Sequence, residues 1–439
     1  MTILTDLAAF VATASARTLP QLDRDILRRH ASDAVVARIA GARTTEGRAL
    51  AALYPIAHGR AAIAGLAGMV RLTEIDDIHI ASCTTPSSVG VPVALALAAE
   101  SGCDPERLES AIWVGTELVV RLGKAIDGAR VLYQGIWPTR VGATLGAAAA
   151  ASRVWGLPPE VTAHALSLAA MMTAGRTGRF HGELSGRWIL FAAAVADGIR
   201  AAEAARAGFT AEPGLLEGQW LDRALGVPVD VAKLTGGLGH TSIYPELSLK
   251  PYCTSRQALS AAEAMRALVA EGVDPSAITK VLIRVPTAYA GMVSQTFDPA
   301  IRSSSYVSAA GLAAIAALAP TGLYDVERAS VMGDPRILRL SQLTTVAGDP
   351  SMDSMFPQRW PAEIDVETAK GTLTRRITEP LGDPGNRIDD AGQIAKARAV
   401  LDHIGERPMA DRIMALGRHA FEKQEASAGL AKAFVNGVM

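Results

Sequence analysis

Aromatic residues are scarce in this chain of 439 residues, at 5% of the total, and cysteine is scarcer still. Cys83, Cys103 and Cys253 lie far apart. An odd, widely spaced set argues against a disulfide framework and fits a reducing compartment. There is no C-x-x-C or H-x-x-x-H pair, so no metal-ligand spacing is visible. An excess of charge is also missing, with 43 Lys+Arg against 44 Asp+Glu. That balance gives no long-range pull on nucleic acid or an anionic membrane, and no basic–aromatic cluster marks a nucleic-acid surface. Any anion has to be met in a local pocket.

Long apolar runs are lacking as well. The best one, ILFAAAVADGIRAAEAA, carries Asp197, Arg200 and Glu203, which excludes it as a membrane span. The opening MTILTDLAAFVATASARTLP has no basic region and is interrupted by Asp6. It reads as a first amphipathic helix ending near Pro20 rather than as a signal peptide, and a cytoplasmic protein is the expectation.

What is abundant is alanine, which accounts for much of the 49% hydrophobic content. Alanine loses no side-chain entropy on ordering, so helices are expected to dominate. Helical spacing of apolar residues runs over 20–42, 106–122, 160–174 and 188–207. Three polar, punctuated loops lie among these helices, at 76–88, 133–142 and 175–187, and loops carry chemistry more often than helix bodies do. Residues 222–249 read as a connection. Its GGLGH stretch has no strand–glycine–helix context, so it is not taken as a phosphate loop. After Ser255 the pattern changes. Residues 256–270 and 305–319 read as helices, 278–285 alternates as a strand, and 361–367 with 371–378 forms a hairpin. Helical signals return from Asp389 onward. The expected fold is mostly α: a helical domain at 1–250 completed by 390–439, and a smaller α+β domain at 251–389.

Five stretches carry a family resemblance. They are DDIHIASCTTPSS (76–88), GTELVVRLGKA (115–125), YQGIWPTRVGATLGAAAAA (133–151), GFTAEPGLLEG (208–218) and KPYCTSRQALSAAEA (250–264). None is specific alone, but together, in order and across nearly the whole chain, they resemble the MmgE/PrpD family of 2-methylcitrate dehydratases, cis-aconitate decarboxylases and iminodisuccinate epimerases. The resemblance implies a large all-helical domain, a smaller α+β domain and a deep cleft between them. It also implies a homodimer, no metal or organic cofactor, and a small carboxylic acid as substrate.

Chemistry beside a carboxylate needs cations or donors for the carboxylates and a proton-transfer group near the reacting carbon. Asp76, Asp77 and His79 are kept from the family's D-D-x-H loop. They are expected to move or tune a proton, the alternative being an Asp that caps the next helix beside a solvated His. As a titrating group, His79 would lose on the order of a hundredfold in turnover on replacement by Ala. Lys250 and Tyr252 are also kept, and His181 lies in a basic loop with Arg176 and Arg179. Several family positions differ. Thr85, Trp137 and Ser255 stand where relatives carry His, Arg71 replaces a His before the Asp pair, Glu74 takes the often-acidic position between them, and Arg187 replaces a Lys.

Arg71 and Arg187 are candidate carboxylate clamps and poor bases, with salt bridges or packing as the alternative. Trp137 suggests a less polar or larger substrate. Tyr133, Tyr252 and Tyr306 are candidate oxyanion donors or proton relays, although a buried tyrosine commonly just satisfies its hydroxyl. The resulting expectation is a cofactor-independent lyase acting next to a carboxylate. The alternatives are an epimerase that only moves a proton, and an inactive binding homologue.

Overall fold

The computed structural model describes residues 2–55, 60–173 and 185–437. Helices of seven residues or more are numbered here in chain order. The first part contains α1 (Ile3–Thr13), α2 (Gln21–Gly41), α3 (Thr45–Leu53), α4 (Ala61–Arg71), strand β1 (Asp77–His79), α5 (Ser87–Ser101), α6 (Pro105–Ala125), α7 (Pro138–Trp155), α8 (Pro159–Met172) and α9 (Gly186–Arg206). A long connection leads to β2 (Leu247–Leu249), which pairs antiparallel with β1. The 222–249 segment, read as a connection, also carries short turns of helix before that strand.

Local chemistry sets these helix ends. Asp104 accepts from the Arg107 N–H at the start of α6, Pro105 takes the first helical position, Glu106 lies in the first turn and Lys124 in the last. Each choice satisfies an orphan backbone group or complements the helix dipole. The small residues have a packing role. A Cβ on Gly146 of α7 would sit 2.7 Å from the Gly115 carbonyl oxygen of α6. One on Gly198 of α9 would overlap the Thr144 carbonyl oxygen of α7. The Ala- and Gly-rich composition therefore lets three helices approach backbone to backbone in one large apolar cluster.

A second apolar cluster lies around a four-stranded sheet ordered β4–β3–β5–β6. Its strands are β3 (Ile278–Val285), β4 (Thr344–Gly348), β5 (Ala362–Thr368) and β6 (Gly371–Ile377), and its helices are α10 (Arg256–Ala270), α11 (Thr287–Val293), α12 (Ala309–Leu318) and α13 (Pro335–Gln342). β3 runs parallel to β4 and antiparallel to β5. Ile278, Val281, Ile283 and Val285 face the core, the alternation read in the sequence. The hairpin register pairs Thr368 with Gly371, and Gly371 takes a φ of 120° that favours glycine. The helix expected at 305–319 is broken: a turn at Ser304–Val307 ends where Ser308 caps α12 by accepting from the Gly311 N–H.

The chain then returns to the first cluster with α14 (Asp390–Asp402), α15 (Arg407–His419) and α16 (Gln424–Asn436). α14 and α15 pack on α2, and α16 packs on α5. Lys396 of α14 is buried, with its Nζ 2.7 Å from Asp33 Oδ1 on α2 and 2.8 Å from the Ile75 carbonyl oxygen. Among the described residues no helix is long and apolar enough to cross a membrane.

Gly198→Ala tests the backbone-to-backbone packing. Alanine gains about 1 kcal/mol in helix propensity, but the overlap is with a carbonyl oxygen that cannot rotate away, at about 1–3 kcal/mol. The thermal midpoint in scanning calorimetry is expected to fall by a few degrees. An unchanged midpoint would mean that α7 and α9 separate without cost.

Candidate active site

β1 and β2 are short, but their register sets the site. Asp77 lies opposite Leu249 and His79 opposite Leu247, which places the preceding residue Asp76 across from Lys250. Side chains along an extended segment alternate between faces. Asp76 and Ile78 take one face, and Asp77 and His79 take the other. The D-D-x-H loop is thus split in two by its own backbone.

On the first face is a buried cluster of ions. Lys250 Nζ lies 3.0 Å from Glu74 Oε2 and 3.0 Å from Asp76 Oδ1. Arg71, at the end of α4, has Nη1 3.0 Å from Glu74 Oε2 and 3.5 Å from Asp76 Oδ1. All four residues are less than a tenth exposed. Burial alone would raise Glu74, but Arg71, Lys250 and Arg187 overcome it and hold this carboxyl well below the usual range. Asp76 goes the other way. Burial, only partly offset by Arg71 and Lys250 and aided by repulsion from Glu74 and Asp77, pushes it up to about 6. Burial disfavours the Lys250 ammonium, yet Asp76 and Glu74 raise its pKa and keep it charged. The two neighbouring carboxyls are driven apart, one ionised and one with proton affinity near neutrality.

Arg71, Glu74 and Lys250 of this cluster line a cavity of about 840 Å³, and Asp76 does not line it. Arg71, Glu74, Thr85, Tyr133, Trp137, Arg187, Lys250 and Ser255 all line it. The Arg71 guanidinium lies over the Trp137 and Trp188 rings, 5.6 Å from each centroid, and Arg187 lies 4.2 Å from the Trp188 centroid. The Arg187 Nη2 donates to the Tyr306 hydroxyl at 2.8 Å. Arg71 Nε, Arg187 Nε, Asp76 Oδ2 and Ser255 Oγ are buried and have no hydrogen-bond partner among the described residues. Leaving such groups unpaired costs about 1–3 kcal/mol each, and more for charged ones, so the two guanidinium nitrogens favour a ligand acceptor, while Asp76 Oδ2 calls for a donor. Glu74 and Cys83 take left-handed φ values of 54° and 51° on the two sides of β1, a strain of about 1–3 kcal/mol each.

The opposite face of β1 is framework. Asp77 Oδ2 lies 3.0 Å from His30 Nδ1, and Asp77 Oδ1 accepts from the Ser87 N–H at the start of α5. The capping alternative therefore describes Asp77. His79 is buried and does not line the cavity. The Ser82 N–H donates to its Nδ1 at 3.1 Å, which leaves the ring proton on Nε2, 2.8 Å from Glu246 Oε2. Burial lowers the His79 pKa despite that carboxylate, so the ring is held neutral. Asp77 and His79, expected to move or tune a proton, thus lie on the face of β1 that does not line the cavity.

Tyr252 lies away from the cavity as well. Its hydroxyl donates to Glu263 at 2.8 Å on the far side of α10. Tyr306 stands one contact behind Arg187. His181, Arg176 and Arg179 lie outside the described residues.

Other lining residues were not anticipated. Thr139 Oγ1 accepts from the Thr85 N–H at 3.1 Å, Gln257 Nε2 donates to the Tyr133 hydroxyl at 3.2 Å, and Cys83 adds a buried thiol. Thr139 and Gln257 sit directly after Trp137-Pro138 and Thr254-Ser255-Arg256, so motif neighbourhood was the available signal. Burial pushes the Cys83 thiol up to about 12, so it stays protonated and is a poor nucleophile. Burial likewise raises the Tyr133 phenol well above its usual range, which makes it a donor. Among the described residues no group of three or more His, Cys, Asp or Glu is placed to hold a metal ion.

No curated protein was found to match the chain. Family models do match. Residues 5–225 fit the MmgE/PrpD N-terminal domain, and residues 252–418 fit the MmgE/PrpD C-terminal domain. The two matches cover most of the chain and meet at the connection that leads into Lys250. The family includes dehydratases, so lyase-type chemistry is its general province. With both halves matched in order, the chain belongs to the MmgE/PrpD family.

Proposed function

We propose that the protein is a cofactor-independent lyase acting at the carbon next to a carboxylate of a small polycarboxylic or related acid. The observation that supports this most is the buried Arg71–Glu74–Asp76–Lys250 cluster, of which Arg71, Glu74 and Lys250 line the cavity together with Arg187. In this reading residues 1–250, completed by 390–439, form one domain and 251–389 the other, and the working form is a homodimer.

Arg71 and Arg187 hold the substrate carboxylate. Lys250 is the catalytic group in contact with the reacting carbon. The ammonium first passes a proton to Asp76 Oδ1 behind it, and the free amine at Nζ then takes the carbon-bound proton, so the ammonium is restored and Asp76 is left protonated. The electron pair moves onto the carboxylate oxygens as an enolate-like charge, which the two guanidiniums and the ammonium stabilise. The leaving hydroxyl takes a proton from the Lys250 ammonium, which recovers one from Asp76, and departs as water, while the Tyr133 hydroxyl donates a hydrogen bond to it. The same first step without a leaving group is an epimerisation. The absence of any histidine among the described lining residues leaves this second reading open. In deuterated buffer, release of water or carbon dioxide from a candidate acid identifies a lyase. Deuterium uptake with no other change in formula identifies an epimerase. Neither result across a broad panel supports a binding protein.

Asp76 must be ionised to accept the proton, so kcat/KM is expected to fall as pH drops through about 6. Asp76→Asn should remove that limb and lower turnover by about 10²–10⁴. A variant that keeps the limb would exclude Asp76 as the acceptor. The sign for stability is the reverse. A carboxyl raised above its unfolded value binds its proton more tightly in the native state, so this group adds stability as pH falls from 7 toward 4.

The other two assignments separate binding from proton transfer. Arg187→Ala should raise KM by more than about tenfold with a smaller change in kcat, as expected for a lost charge-assisted contact. His79→Gln keeps a donor toward Glu246 and an acceptor toward Ser82, so turnover should fall less than about tenfold, short of a general acid–base contribution. A hundredfold loss with an altered pH profile would return the proton to His79.

A further inference from the structure

One buried cation near the site takes no part in the proton step itself. Lys396 lies on α14, far along the chain, and is 3% exposed. Its Nζ donates to the Ile75 carbonyl oxygen at 2.8 Å and lies 2.7 Å from Asp33 Oδ1 on α2, which is itself buried. Ile75 is the residue between Glu74 and Asp76. Glu74 carries the left-handed φ of 54°, and its own carbonyl oxygen accepts from the Thr254 N–H at 3.0 Å. Two consecutive carbonyls of this strained segment are thus pinned from outside it, one by the backbone that follows Lys250 and one by Lys396.

A hydrogen bond alone does not call for a lysine. A neutral donor would satisfy the Ile75 carbonyl, whereas a buried ammonium is costly and needs a buried counter-ion, here Asp33. A buried pair of this kind is often no more stable than apolar residues of the same volume. The pair also has a direction. Its positive end is bonded to the Ile75–Asp76 peptide. Its negative end, Asp33, lies one helical turn from His30, whose Nδ1 is 3.0 Å from Asp77 on the other face of β1. Burial lowers the Lys396 pKa; Asp33 and Asp76 oppose that, and Lys250 adds to it.

We propose that Lys396 is a positioning residue for the proton step: its ammonium fixes the Ile75–Asp76 peptide and, from there, keeps Asp76 ionised and ready to accept a proton from Lys250. This rests on the reading of Asp76 as the proton acceptor. The other charges that face Asp76 are Arg71 at the end of α4, Lys250 just past β2, and Glu74 and Asp77 beside it in the chain. Arg71 and Lys250 also line the cavity, where a bound carboxylate would share their charge. Lys396 does not line it, so its charge acts on Asp76 whatever the cavity holds.

Asp76 can be titrated without a substrate. In the full chain, isotopically labelled at the aspartate carboxyl carbons, the nuclear magnetic resonance signal that is missing from Asp76→Asn reports this group. Its midpoint is expected at about 6 in the unaltered protein. Lys396→Met should raise that midpoint by about one pH unit, the low end of the effect of a nearby opposite charge. The single variant leaves Asp33 buried without its cation, so Asp33→Asn combined with Lys396→Met guards against a folding defect and should raise the midpoint in the same direction. A lower thermal midpoint with the Asp76 titration unmoved in both variants would make Lys396 a structural brace alone. That result would overturn the proposal and leave Asp76 standing as the acceptor. A downward movement would do the same. An Asp76 midpoint no higher than that of an ordinary aspartate in the unaltered protein would overturn both readings together.

Discussion

Asp76 and Lys250 are 174 residues apart in the chain and 3.0 Å apart in space. Two strands of three residues each bring them together. The ladder between β1 and β2 fixes which side chains of the D-D-x-H loop meet Lys250, and a slip of one residue would exchange the faces. It would carry Asp76 toward His30 and Asp77 into the cavity, and the separation of proton affinities between Glu74 and Asp76 would vanish with it. The framework on the other face guards this register. Asp77 is tied to His30 and to the start of α5, and His79 is tied to Ser82 and Glu246. These contacts hold the strand while leaving the face that meets Lys250 free of them.

The ion cluster also explains why the site tolerates so much buried charge. Each charged group is costly away from water, and an isolated one would neutralise instead. Here two cations and two carboxyls share contacts, and the carboxyls settle into different protonation behaviour. The indole rings of Trp137, at a position where relatives are expected to carry an imidazole, and Trp188 complete the arrangement by covering Arg71 with polarisable surface.

Much of the fold was legible in the sequence because it rests on periodicity. α6, α8, α9, α10 and the β3, β5 and β6 strands fall within a few residues of where apolar spacing, caps and alternation put them. The limits were local. Ser308 divides one expected helix by capping a second, and a three-residue strand inside a loop has too few residues to show a period. That short strand is also why the site was only half legible. Arg71, Thr85, Tyr133, Trp137, Arg187, Lys250 and Ser255 do meet at one cavity. Asp77, His79 and Tyr252 were grouped with them by sequence proximity, which says nothing about the face on which a side chain emerges. The lining residues between 291 and 307 had no signal at all, since they join the site only through tertiary packing.

Lys396 has one more consequence. Its ammonium holds the carbonyl of Ile75, the residue between Glu74 and Asp76, across 321 positions of sequence. During synthesis the chain grows from its N-terminal end at roughly 5–20 residues per second, and long-range contacts form last. The segment bearing both carboxyls therefore emerges well before the helix that anchors it. For that interval a nascent chain carries the acidic and basic groups of the cluster without the strut that fixes their spacing. The spacing of the ion cluster is therefore set only after Lys396 has left the ribosome.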